Sequence, residues 1–113
     1  MTERESRAHV VVTTTTDAKE AAYELSDTAV RERLAASAQV YGVSSVYRWA
    51  GEVTRNDEWR VDFKTRADLV PELSRYLREN HEFLEPEIVA VPIVDGSAGY
   101  LNWITEQTEQ PPR

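Results

Sequence analysis

The residues best suited to chemistry gather near one position: His81 is followed directly by Glu82, with Glu85 and Glu87 close behind. An imidazole with carboxylates is a donor set that copper(II) or zinc accepts. Adjacent residues rarely turn toward one ion, however, and the other histidine, His9, is far away in the chain. The competing reading is a histidine favoured at the negative end of a helix, followed by a solvated acidic loop. Lys64 and Arg66, together with Arg75, could receive a small anionic ligand, or could equally carry their charges into solvent on apolar stems. Ser37, Ser44 or Ser45 can be combined with His81 and Asp62 into a triad only by hand, since none stands in a nucleophile motif. Asp95-Gly96-Ser97 is too short for a phosphate-binding glycine loop. Tyr47, Trp49, Trp59 and Trp103 could stack on a ligand, but aromatics on a pleated face or a short helix are usually core or subunit interface. The pattern therefore predicts no enzyme.

Composition narrows the partners. The chain has 113 residues and no cysteine, which removes disulfides, thiolate metal sites and cysteine nucleophiles together. The formal net charge is −7, and the 13 basic residues are scattered, so nucleic acid and anionic lipid are not expected partners. The charged start is followed by only a short β-branched run, with neither a signal-peptide pattern nor a stretch able to span a membrane. The expected location is the cytoplasm.

These candidates need elements to position them. Ala8 to Thr14 reads as a strand buried on both faces. Thr16-Asp17 is a capping pair for a helix that carries Ala22, Leu25 and Ala29 at helical spacing and is expected to run to about Ala36. A long hairpin follows from Gln39 to Phe63, turning at Ala50-Gly51, with Trp59, Val61 and Phe63 on one face and a bulge or break at Arg55-Asn56-Asp57-Glu58. Ala67, Val70, Leu73 and Leu77 define a second helix, in which Pro71 is early enough to be tolerated. Ile88 to Val94 is a further buried-strand run that Pro92 assigns to a sheet edge or a bulge, and Tyr100, Leu101, Trp103 and Ile104 give a short aromatic helix. The order predicts an α+β fold, the ferredoxin-like βαββαβ sandwich with a C-terminal helix. One domain is expected over residues 8–105, with flexible termini at 1–7 and 106–113. Tyr47, Trp49, Trp59 and Phe63 are too apolar for an open sheet face, which calls for burial by another copy of the chain.

Five strings carry a resemblance: VVTTT in the first strand, RERLAAS ending the first helix, SSVYRWAGEV in the hairpin, FKTR, and PEIVAVPIVDGSAGYLNWI. In this order and spacing, over about Val10 to Ile104, they resemble the CutA divalent-cation tolerance family. The resemblance implies a ferredoxin-like subunit, a homotrimer with its sheets packed inward, a PII-like architecture, and divalent metal, copper above all, as the functional theme. It also implies a copper site made by a cysteine at the end of the first helix and the histidine after the second. Here those positions are Ser37 and His81, so His81 and Glu82 are the metal ligands expected to remain. A PII-like small-ligand sensor or protein-assembly module, using the clefts between subunits and no metal, is the alternative.

Overall fold

The computed structural model describes residues 8–110; the expectations for residues 1–7 and 111–113 lie outside the described residues. Strand β1 (His9–Thr16) leads to helix α1 (Lys19–Arg31) and the hairpin of β2 (Ser37–Trp49) and β3 (Glu52–Arg66). A 3-10 turn (Ala67–Leu69) opens helix α2 (Val70–Asn80), followed by β4 (Val89–Pro92) and helix α3 (Ala98–Gln107). The sheet order is β2-β3-β1-β4 with every neighbouring pair antiparallel, which is the expected ferredoxin-like arrangement.

The register decides which side chains share a face. Facing residues of an antiparallel pair project to the same side. Val12 opposes Phe63 and Thr14 opposes Val61, while Ala38 opposes Phe63 and Val40 opposes Val61. This set packs under the helices. Val10, Val12, Val61 and Phe63 of the sheet meet Ala22, Leu25 and Ala29 of α1 and Leu73 and Leu77 of α2 in one buried cluster. The intervening residues, including Val11, Thr13, Tyr41, Tyr47, Trp49, Asp62, Val89 and Val91, project from the opposite face. The expected grouping of four hairpin aromatics is thereby split. Phe63 is fully buried on the helix side, and Trp59, on the same side, lies against Gly42 with the Lys19 ammonium 5.3 Å above its ring. Tyr47 and Trp49 remain on the open face.

Four further expectations are corrected. Helix α1 stops at Arg31, because Arg33 adopts a left-handed φ of 60° and Leu34 N–H returns to Ala29 O at 2.9 Å. Ala36 N–H then pairs with Lys64 O at 2.8 Å, so the alanines that looked helical are committed to the start of β2. No side chain caps α1; Ala18 occupies the N-cap and Thr16 Oγ1 donates instead to Ala18 O at 2.9 Å. The hairpin has no break at residues 55–58: pairing runs unbroken from Ser37–Lys64 to Trp49–Glu52. Strand β4 is an edge, one of the two positions Pro92 allows, but all four of its residues are exposed in the single chain rather than buried.

The C-terminal helix also continues past the expected end of order. Ile104 and Thr108 are fully buried, and Thr108 Oγ1 donates to Ile104 O at 2.8 Å. His9 Nε2 and Thr105 Oγ1 lie 2.8 Å apart, joining α3 to the first residue of the sheet.

At the hairpin tip Ala50 and Gly51 have φ of 51° and 79°. A left-handed conformation costs an L-residue with a Cβ roughly 1–2 kcal/mol, part of which glycine gives back as unfolded-chain entropy. Ala50→Gly is expected to stabilise the protein by roughly 0.5 kcal/mol, measured by urea unfolding. A loss of stability would refute the strain.

Candidate functional site

His81 is the residue that follows α2, at its C-cap. Its ring is held on both sides. Nδ1 accepts the Phe83 N–H at 3.1 Å, and Nε2 lies 2.9 Å from Thr15 O and 3.2 Å from Thr14 Oγ1. A carbonyl oxygen can only accept, so Nε2 carries the proton and Nδ1 spends its lone pair on Phe83. The neighbouring Glu82 accepts Asp17 N–H through Oε1 at 2.8 Å, beside the positive end of α1. Together the two residues clasp the end of β1 and the turn into α1 to the segment after α2. A cavity of about 370 Å³ adjoins the clasp, lined in part by Glu24, Tyr76 and Asn80.

This arrangement does not fit a copper(II) or zinc ion in the single chain. Neither His81 nitrogen has a free lone pair, and one Glu82 oxygen is already committed. Among the described residues no three histidine, aspartate or glutamate side chains converge. Ser37 does not join them. It lines a separate cavity of about 580 Å³ with Tyr23, Asp27, Val30 and Val40, whereas His81 lies by the α2-side cavity. Its Oγ is buried without a hydrogen-bond partner.

The other candidates are likewise dispersed. Lys64 Nζ donates to Gln39 Oε1 at 2.6 Å, and Arg66 pairs with Asp68 at 2.9 Å and 3.2 Å. Both project from the open face of β3, whereas Arg75 is exposed on α2, beyond the other face. Ser44 and Ser45 oppose Asp57 and Asn56 in the outer hairpin, far along the sheet from the clasp, so the hand-built triad is not assembled. Tyr100 and Trp103 stack with centroids 5.6 Å apart on α3.

The polar constellation that sequence reasoning missed lies on the open face. Asp62 accepts from Thr13 Oγ1 and Tyr41 Oη, each at 2.7 Å, and from Arg60 Nε at 3.4 Å. Burial pushes the Asp62 carboxyl upward, but those three hydrogen bonds and the Arg60 charge outweigh it and hold it below the usual carboxylate value. The Tyr41 hydroxyl is raised in return, chiefly by its bond to Asp62 and then by burial. The only available sequence signal was the Arg-Val-Asp spacing, which places both charges on one strand face.

An α+β domain with a ferredoxin-like sheet, helices α1 and α2 on one face and a largely open second face is the class that these features define. Residues 10–107 match the family model described as CutA1 divalent ion tolerance protein, and the chain belongs to that family. It is 38% identical over 99 residues to the divalent-cation tolerance protein CutA of Thermus thermophilus, covering 87% of this chain and 96% of that one. It is also 38% identical over 100 residues to the chloroplastic CutA of Arabidopsis thaliana, covering 88% of this chain but only 55% of the length of that relative. The solved CutA1 structure from Thermus thermophilus superposes with a TM-score of 0.86 at 37% identity, over 89% of this chain and 99% of that one. CutA from Synechococcus elongatus gives 0.88 at 26% identity, over 91% and 92%. Family membership does not set the compartment, since relatives carry chloroplastic and periplasmic descriptions. Among the described residues no helix is long and apolar enough to cross a membrane.

Two measurements test the site as described. His81→Ala leaves Phe83 N–H and Thr15 O without their partner and is expected to cost about 1–3 kcal/mol in metal-free protein; unchanged stability in urea would show that the clasp is not structural. Asp62 binds its proton less tightly when folded, so its contribution is full above the unfolded value of about 3.9 and fades as pH falls through the lower folded value. The stability gap between wild type and Asp62→Asn should therefore be widest near neutral pH and narrow below about pH 4. A gap that stays constant with pH would sink this assignment.

Proposed function

We propose that this chain acts as a self-assembled homotrimer in divalent-cation tolerance, with assembly through the open sheet face and the projecting hairpin. The open face is the observation that supports the reading. Trp49 is 69% exposed, Val91 52% and Val89 48%, and hairpin residues 43–58 extend beyond the last β1 partner, Trp59. A second copy suits this face electrostatically. The chain carries −7 overall, yet the strand residues of the open face are three acidic (Glu52, Glu58, Asp62) and three basic (Arg60, Lys64, Arg66), so their formal sum is zero. Both sheet edges, β2 and β4, are also unpaired in the single chain, which offers a copy two templates for strand addition.

The cation role rests on the relatives' printed descriptions. Copper(II) or zinc would reach His81 Nδ1 only after Phe83 N–H was released, so binding here should be weaker than at a preformed site. An anion-sensing role using Lys64, Arg66 and Arg75 has less support, because two of the three are already paired and the third is on the other side. No reaction is proposed, and the cytoplasm is the proposed location.

Native mass spectrometry of metal-stripped protein tests both parts. The expected result is a trimer that takes up copper(II) weakly, at about one ion per subunit, and loses that uptake in His81→Ala. A monomer at every concentration would overturn the assembly; copper uptake that survives His81→Ala would overturn the ligand assignment.

A further inference from the structure

We propose that Asp62, held between Thr13, Tyr41 and Arg60, fixes the register in which a second copy of this chain docks on the open sheet face. The inference rests on the self-assembly reading and goes beyond it by naming the residue that makes one arrangement win. Apolar contact alone is a poor selector. Burial of Val11, Val43, Val89 and Val91 is non-directional, and a neighbour displaced by one residue pair along the strands would cover similar area.

A polar island within such a face behaves differently. Asp62 opposes Thr13 and Gln39 in the ladder, and Tyr41 opposes Arg60, so the island spans three strands rather than one edge. Its inner bonds are complete: the carboxylate takes two hydroxyl donors and Arg60 Nε. The outward side is not. The Asp62 and Arg60 side chains keep 21% and 40% of their exposure, and Arg60 reaches Asp62 through Nε, with no hydrogen bond from its Nη donors among the described residues. A copy that places acceptors over Arg60 dehydrates the pair at little cost. One that slides an apolar patch over it leaves charge-bearing donors dehydrated and unpaired, a penalty that disfavours the wrong register by roughly 5–150-fold in population. A single polar group in an apolar seam selects register in helical assemblies by the same physics.

The island is also placed to act on assembly without entering the helix-side core. The core under the helices draws on Val12, Val61 and Phe63 from these strands, whereas Thr13, Tyr41 and Asp62 project from the other side. Replacing the three therefore tests docking in a subunit whose core is intact.

The test uses the absence of native cysteine. A spin label at Glu20→Cys, exposed on α1 and away from the open face, reports distances between subunits by pulsed electron paramagnetic resonance. The wild-type background should give one narrow set. Thr13→Val, Tyr41→Phe and Asp62→Leu together should still associate and keep the circular dichroism of the fold, but with the distances spread over several registers. Thr13→Val with Tyr41→Phe, a milder variant that leaves the carboxylate without its two hydroxyl donors, should broaden them in the same direction and keeps the test open should the triple variant not fold. Narrow wild-type distances in both variants would overturn the register proposal while leaving assembly intact. A labelled wild type with no inter-subunit distance at all, in protein that is monomeric by native mass spectrometry, would overturn the assembly reading itself.

Discussion

One sheet has two faces, and this chain packs α1 and α2 against one of them, while α3 meets the other at His9. That asymmetry governs the rest. On the helix side, alternate residues of β1 and β3 meet α1 and α2 in a buried cluster in which Val12, Val61, Phe63, Leu73 and Leu77 have no exposed surface. Burying side chains of this size contributes roughly 1.5–3 kcal/mol each, so a domain of this length obtains a workable core from one side alone. The opposite face is left with valines, tyrosines and a tryptophan that the single chain does not cover. Sequence alternation built the core and, by the same period of two, created the uncovered surface.

The same residue can serve the fold or a ligand, and His81 shows how hydrogen bonds decide between them. A metal needs a lone pair, and both nitrogens of this ring are spent on backbone groups: one on Phe83 N–H, the other, through its proton, on Thr15 O. Glu82 is drawn to Asp17 N–H in the same way. The clasp ties the exit of β1 to the exit of α2, two points that no strand pairing joins. It also lies beside the start of α1, where Ala18 has no side chain with which to cap. A helix lacking its own cap is steadied by a carboxylate brought from another segment. Ser37, in a different cavity, is not part of that economy.

Much of this was legible in the sequence, and the failures share a cause. The β-branched run of β1, the Leu73–Leu77 spacing of α2, the Ala50-Gly51 turn and the edge position allowed by Pro92 each depend on local patterning, and each was read correctly. The end of α1 was not. Arg-Glu-Arg-Leu-Ala-Ala contains no glycine or proline to stop a helix, yet the chain turns at Arg33 because Ala36 is required at Lys64 in the ladder; tertiary pairing overrode propensity. Arg55 to Glu58 looked like an interruption for the converse reason, since polar residues on a strand with no buried neighbour on either side read like a loop. The clasp was illegible in principle. Its partners are backbone groups of Thr15, Asp17 and Phe83, and backbone groups leave no mark in a sequence.

Net charge gives the last constraint on how such a surface can be used. A trimer of chains carrying −7 each would hold a large like charge in a small volume, and repulsion of that kind works against association. It falls off over about 8 Å at physiological salt, so its effect depends on where the charges lie. On the open face, three acidic strand residues are matched by three basic ones, and the excess is carried by the rest of the chain, including the loop of Glu82, Glu85 and Glu87 and the exposed Glu24 and Asp27 of α1. Copies meeting through the open face bring neutral surface together and keep their acidic flanks apart, where water and salt screen them. Copies meeting through α1 and α2 would bring together five acidic and four basic helix residues, a formal sum of −1. Charge therefore permits association through the open face, and hydrophobic exposure is what distinguishes that face from the nearly neutral helices.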